Sequence, residues 1–135
     1  MKIMASARFT PRSDSGRFIE AVIVPAARRA CQDVGQIILA EAQEIVPVDT
    51  GELRASGVAE VRDGDKTVIA DVSFNAAHAV FVEYGTGRRG AASPGAGPYP
   101  YNPDWPGMPA QPYLRPALEK VRQELVGEFA ARMRF

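Results

Sequence analysis

Residues 47–56 read Pro-Val-Asp-Thr-Gly-Glu-Leu-Arg-Ala-Ser, and they divide a helical half of the chain from a β half. Upstream, Ala27, Ala30, Cys31, Val34, Ile37, Ile38, Glu41, Ala42 and Ile45 recur at steps of three and four, and all but Glu41 are apolar. That spacing predicts one long helix with a single buried stripe. Pro47 ends it, because the residue before a proline is driven out of the α region. Pro25 either opens the helix as a first-turn residue or kinks an earlier turn built on Phe18, Ala21 and Val22. Downstream, Ala55–Val61 and Thr67–Phe74 flank Arg62-Asp63-Gly64-Asp65, and Val68, Ala70, Val72 and Phe74 alternate with Asp71 and Ser73. This predicts a β-hairpin with a half-buried second strand.

Farther out the signals vary in strength. Residues 1–16 carry Ser, Arg, Thr and Pro without a sustained period and read as an extended or loosely ordered arm. In Ala76–Tyr84 the alternation of Val80, Val82 and Tyr84 favours a short strand, while the Ala-rich start also suits a helical turn. Gly85–Pro112 holds six glycines and seven prolines and reads as a long loop, with Tyr99, Tyr101 and Trp105 on it. Leu114, Leu118, Val121, Leu125, Phe129 and Met133 then predict a closing amphipathic helix. The expected fold is α+β: two long helices on a small antiparallel sheet, with the Gly/Pro-rich loop before the C-terminal helix. The expected division is an arm over 1–16 and a single domain over 17–135.

Sixteen basic side chains balance sixteen acidic ones, so no broad positive field exists to hold a phosphate backbone non-specifically. Basic character is local, at Arg88-Arg89 and at Arg132 and Arg134. The single cysteine, Cys31, excludes an internal disulfide and a Cys-rich zinc site. No window approaches the ~20 apolar residues of a membrane span. A soluble chain made in the cytoplasm is expected.

Three patterns tempt a catalytic reading. Asp49-Thr50-Gly51 matches the aspartic protease triplet, whose fold is all β; here the triplet follows a helix and a proline, and reads as a turn with Asp49 or Thr50 bonding backbone N–H groups and Gly51 at positive φ. Gly85-Thr86-Gly87-Arg88-Arg89-Gly90 has dinucleotide-binding spacing, but Ser93-Pro94-Gly95 follows where a helix should run, so the glycines serve bending and close backbone approach. Cys31 and His78 form a pair only if the fold joins them. Glu83, set between Val82 and Tyr84, needs a partner if buried, and Arg54 is the nearest by motif. No enzyme, metal or cofactor is expected.

Pro47, Asp49, Thr50, Gly51, Leu53, Arg54 and Ser56, then Glu83, Tyr84, Gly85 and Thr86, then Gln111, Pro112, Tyr113, Leu114, Arg115, Pro116, Ala117 and Leu118 form three ordered motifs. The set resembles the small head–tail connection proteins of long-tailed bacteriophages, called minor tail component, neck or tail-completion proteins, from about residue 17 onward. Gly57 departs from the Ile or Val common at the strand start, and His78 from a tyrosine. The resemblance implies a structural virion protein made in the host bacterial cytoplasm. Copies would form a ring, as a hexamer, at the head–tail junction, meeting neighbouring neck or connector proteins and the tail-tube protein and letting double-stranded DNA pass without reading it. The alternative is a prophage-encoded assembly chaperone or small regulatory module absent from the particle. Under the ring reading Tyr99, Tyr101 and Trp105 either anchor an interface or fold back on their own sheet. Arg88 and Arg89 face DNA, a neighbour's acidic groups or solvent.

Overall fold

The computed structural model describes residues 2–11, 16, 19–64 and 67–133. Arg17, Phe18, Asp65 and Arg134, on which parts of the sequence reading fall, lie outside the described residues. Three strands form one antiparallel sheet in the order β1-β3-β2: β1 is Ile3–Phe9, β2 is Gly57–Gly64 and β3 is Thr67–Phe74. The expected hairpin forms, but its first strand runs Gly57–Gly64 instead of Ala55–Val61, with Gly57 opposite Phe74 and Gly64 opposite Thr67. Within the segment read as an arm, Ile3–Phe9 is extended and pairs within its own chain, Ile3 opposite Phe74 and Phe9 opposite Val68. The sheet therefore begins ahead of residue 17. With a neighbour on each side, β3 is buried from Val68 to Phe74 instead of half-buried.

The long helix α1, Val24–Ile45, follows a π-helical turn over Ile19–Ile23. Pro25 lies in the first turn of α1. Its ring would clash with the carbonyl four residues back, and the wider π turn ahead of it relieves that conflict. Of the predicted stripe Ala27, Ala30, Cys31, Val34, Ile38 and Ala42 are buried, Ile37 and Glu41 partly so, and Ile45 is exposed. The buried residues meet Val68, Ala70, Val72 and Phe74, the inner face of β3.

Two expectations are corrected. Ala76–Tyr84 is not a strand: Ala79–Tyr84 is a helix, α3, preceded in the chain by the single turn α2, Glu52–Ala55. Ala76, Ala79, Val80 and Glu83 are buried, at steps of three and four, while Phe81 is exposed. The C-terminal helix is two pieces, α5 at Leu114–Arg122 and α6 at Leu125–Arg132. At the break the Glu124 N–H bonds to Val121 O, three residues back, which tightens the turn. Past the break, Phe129 stacks on Phe9 of β1 with centroids 5.2 Å apart. The layout is one long helix plus two short ones over the sheet, not two long helices.

The outer sheet face carries one polar crosslink. Asp71 on β3 accepts from the Ser6 hydroxyl of β1 and pairs with the Arg62 guanidinium of β2, so one carboxylate ties all three strands. Burial pushes its acid upward, but the Ser6 bond and the Arg62 bond and charge outweigh this and hold it below the usual aspartate value.

Asp71 thus contributes stability at pH values above the ordinary aspartate range, and the contribution fades as pH falls through its lowered value. Denaturation between about pH 5 and about pH 2 is expected to show a shallower acid loss in Asp71→Asn than in the wild type; equal slopes refute the crosslink's role. A Cβ on Gly57 would stand 2.6 Å from Leu39 Cδ1 and 2.9 Å from Phe74 Cε1. The Phe74 ring occupies the space that Ile or Val would fill at this position. Gly57→Val is expected to cost about 1–3 kcal/mol by overpacking. Combined with Phe74→Leu it should cost less than the sum of the two single changes, as chemical denaturation of all four proteins will read.

Candidate functional site

The first motif is the joint between α1 and the sheet. Gly51 takes φ 83°, and the Thr50 hydroxyl accepts from the Glu52 N–H at 3.3 Å. This starts α2, which drives Leu53 into the core at 4 % exposure. The Ser56 hydroxyl closes the turn by donating to Leu53 O at 2.7 Å. Asp49 and Arg54 are exposed. Arg54 is held through its backbone, its carbonyl accepting from Gln43 Nε2 at 3.2 Å. Asp49-Thr50-Gly51 is a turn before one helical turn, built as the local sequence predicts.

The second and third motifs meet each other. Glu83 is fully buried on α3. Its partner is not Arg54: Oε2 accepts from the N–H groups of Tyr113 at 2.7 Å and Leu114 at 3.0 Å, and Oε1 from that of Arg115 at 3.0 Å. These are the free donors at the start of α5, and Pro116, next in line, has none to offer. A carboxylate at a helix N-terminus also faces the positive end of the helix dipole. Around it, Tyr113 is fully buried, donates its hydroxyl to Ala79 O at 2.9 Å and packs edge-on to Phe74 at 5.0 Å. Burial, and secondarily the Glu83 charge, push the Tyr113 phenol well above the usual range. Gln111 N–H donates to Val82 O at 2.8 Å, and Leu114 and Ala117 complete the contact in the core. Pro112 is half-buried and Gln111 exposed.

The segment between these motifs is tied down by backbone contacts. Thr86 N–H donates to Met108 O at 2.8 Å, and Met108 N–H returns a bond to Thr86 O at 3.0 Å. Gly85 and Gly87 have φ 79° and 59°. A Cβ at Gly85 would stand 2.7 Å from Ala110 N, and one at Gly87 2.5 Å from Trp105 O. These glycines permit backbone to touch backbone. A short helix, α4 at Gly87–Ala91, does begin inside the G-x-G-x-x-G spacing, contrary to expectation. Its forward N–H groups are already engaged, Arg88 with Trp105 O at 2.8 Å and Arg89 with Pro106 O at 2.9 Å. The place where a pyrophosphate would bind is filled by the chain itself.

The five candidate interface residues divide. Tyr101 is half-buried, its hydroxyl accepting from Gly97 N–H at 2.7 Å and donating to Tyr84 O at 3.1 Å. Tyr99 packs edge-on to Tyr84 at 5.6 Å, and the Arg115 guanidinium lies 5.6 Å from the centre of the Tyr84 ring. Both tyrosines fold back. Arg88 and Arg89 are exposed, and Trp105 is 53 % exposed. The sequence reading missed Ile45 and Val48, which are 43 % and 60 % exposed at the end of α1 and just past it; Ile45 was hidden by its fit to the apolar stripe.

Cys31 and His78 are not joined. Cys31 is buried against Val68 beside a cleft of about 340 Å³ lined by Gln32, Gln36 and Glu60, and burial pushes its thiol up to about 11. It is protonated at neutral pH and a poor nucleophile. His78 stands exposed at the entrance to α3. Among the described residues no three His, Cys, Asp or Glu side chains gather as a metal site, and no helix is long and apolar enough to cross a membrane.

Residues 11–85, more than half of the chain and including the first motif and all of the second but Thr86, match the family model HK97-gp10_like, described as "Bacteriophage HK97-gp10, putative tail-component". The chain belongs to the HK97-gp10-like family. It is thereby assigned to the tail components of bacteriophages, which work among other phage structural proteins. No curated protein and no solved structure matches it. In this HK97-gp10-like chain the motif residues build scaffold: one set turns the chain into the sheet, and the other two lock α3 to α5.

Glu83→Ala leaves three helix-start donors buried without an acceptor and is expected to destabilise the protein by about 3 kcal/mol or more. Glu83→Gln, which keeps one acceptor oxygen, should fall between it and the wild type. Hydrogen exchange at Tyr113, Leu114 and Arg115 should accelerate first; unchanged protection there, with an unchanged melting temperature, refutes the capping role.

Proposed function

We propose that several copies of this chain form a ring, hexameric as the resemblance implies, at the junction between a DNA-filled head and a tail. There it ends tail-tube growth or accepts the finished tail, in contact with neck or connector proteins and the tail-tube protein, and lets double-stranded DNA pass. Membership of a family of phage tail components carries this reading. The third motif extends the likeness past the matched residues to the last helices, in keeping with one neck or tail-completion domain. The physical properties agree with it. The charge total of zero suits a wall along which DNA slides, because affinity for the backbone rises with every phosphate neutralised. The outer edge of β2 and the exposed Trp105 offer surfaces that neighbours can complete. The most conspicuous polar residues of the motifs, Glu83 above all, already have partners inside the fold.

Negative-stain microscopy of particles made with and without a functional copy of the gene tests the proposal. Full heads accumulating apart from free tails are expected without it, and over-length tails would identify a terminator instead of an adaptor. Normally joined particles would overturn the junction role and favour an assembly chaperone or regulator that leaves before the particle is complete.

A further inference from the structure

The sheet has two open edges, and they are not alike. Gly64 pairs with Thr67 across two intervening residues, and such a pair exchanges both of its main-chain bonds. Alternation from there makes Arg62, Glu60 and Val58 bond to β3, and it turns the N–H and C=O groups of Ala59, Val61 and Asp63 out of the sheet. The alternate residues of β3, Val68, Ala70, Val72 and Phe74, then bond to Phe9, Ala7, Ala5 and Ile3, so on β1 the groups of Met4, Ser6 and Arg8 turn outward. Among the described residues nothing else bonds these outward main-chain groups. Neither strand contains a proline to blunt its edge. β2 is thus open through inner-face residues and β1 through outer-face residues.

We infer that β1 of one copy adds in parallel to the open edge of β2 of the next, with Arg8 beside Glu60, so that the sheet continues from copy to copy. The inference rests on the proposed ring and names its subunit contact. In a parallel pair a residue bonds to the two that flank its neighbour across the gap, so one strand bonds through inner-face residues and the other through outer-face residues. The two open edges supply that combination with the helices of both copies on the same side of the sheet, as rotation about a ring axis demands. Joined antiparallel, β1 and β2 would turn one copy's helices to the far side. Charge selects unlike edges over like ones. The only charges in residues 2–9 are Lys2 and Arg8, both positive. On β2, Arg62 and Asp63 are paired within the chain, with Asp71 and Arg28, which leaves Glu60. Arg8 and Glu60 are exposed, and neither makes an ion pair among the described residues. Like edges would bring like charges together, whereas unlike edges set opposite charges side by side. The same register places Ala59 beside Ala7 and Val61 beside Phe9 on the inner face. There the cleft of about 340 Å³ runs along Ala59 and Val61 against Gln32, Gly35 and Gln36 of α1, giving room to the neighbour's half-buried Phe9.

Sedimentation velocity of the full chain over a range of concentrations, at low and moderate salt, tests this with three variants. Ala59→Pro removes an N–H that points out of the sheet, so the chain's own ladder keeps its bonds while an added strand is obstructed. It is expected to weaken self-association about tenfold or more, with a circular dichroism melt showing that it folds. Arg8→Glu and Glu60→Lys, which keep every main-chain bond, should each weaken it about fivefold at low salt and less as salt rises. Mixing these two should restore assembly, since alternating copies then meet with opposite charges at every contact. Assembly beyond dimers that the proline and both reversals leave intact overturns this contact while the ring stands. Assembly that the proline abolishes but neither reversal changes overturns the Arg8–Glu60 pairing in favour of a different strand on the β2 edge. A wild type that stops at dimers overturns it in favour of like edges meeting, and one that stays monomeric throughout overturns the ring and this contact together.

Discussion

A buried carboxylate that faces only backbone holds this structure in its form. Removing Glu83 from water is costly, by several kcal/mol as a rule, unless hydrogen bonds replace its hydration. The start of α5 has the reciprocal problem, because N–H groups at a helix start lack partners within the helix and are costly to bury bare. Three such donors, at Tyr113, Leu114 and Arg115, meet two oxygens of one side chain, and Pro116 removes the donor that would have gone unserved. Each group makes the other's burial possible. The pair is cooperative in the sense that deleting either member strands the other.

This lock fixes the geometry of everything between its two halves. Residues 85–112 leave α3 and must return to α5 at a set distance, and the Thr86–Met108 bridge pins the two ends of the segment together near its base. Glycine then has a task beyond flexibility. At Gly85, Gly87 and Gly107 the backbone occupies space that any Cβ would fill, and each has a positive φ. A segment that composition marks as loose is therefore ordered, with Tyr99 and Tyr101 turned back toward Tyr84 and Trp105 left outward. Order at the base gives an exposed aromatic a low entropic cost of binding.

The parts legible in the sequence are those whose cause is local. The α1 stripe, the hairpin and the Gly51 turn follow from periodicity and turn chemistry within a few residues of each other. β1 was not legible as a sheet strand because Ser6 and Arg8 lie on its outer face and only Ile3, Ala5, Ala7 and Phe9 mark the inner one, two of them alanines. In α3, Val80, Val82 and Tyr84 mimic a strand, and Val80 and Val82 are buried, but Ala76, Ala79 and Glu83 are buried with them at helical steps. The partner of Glu83 was the deepest miss. A guanidinium leaves a letter in the sequence, but an unpaired backbone N–H does not. The available sign was Pro116 three residues into a helix that lacks a side-chain cap of its own.

The extent of the family match adds a physical argument about what the matched region is. It ends at residue 85, just past Glu83 and well short of residues 113–115, which supply the donors. Tyr113 and Leu114 also fill the core beneath α3, and Phe129 covers Phe9. A segment ending at residue 85 would carry the buried charge without its donors and the core without its lid. The matched residues are the most recognisable part of the fold, not an independent folding unit. Glu83 belongs to the matched part while its donors do not, so in this chain the matched part depends on a helix start brought to that carboxylate from later in the chain. The connecting segment has to return there, and what it displays on the way, Trp105 beside two exposed arginines, lies outside the contacts that make the lock.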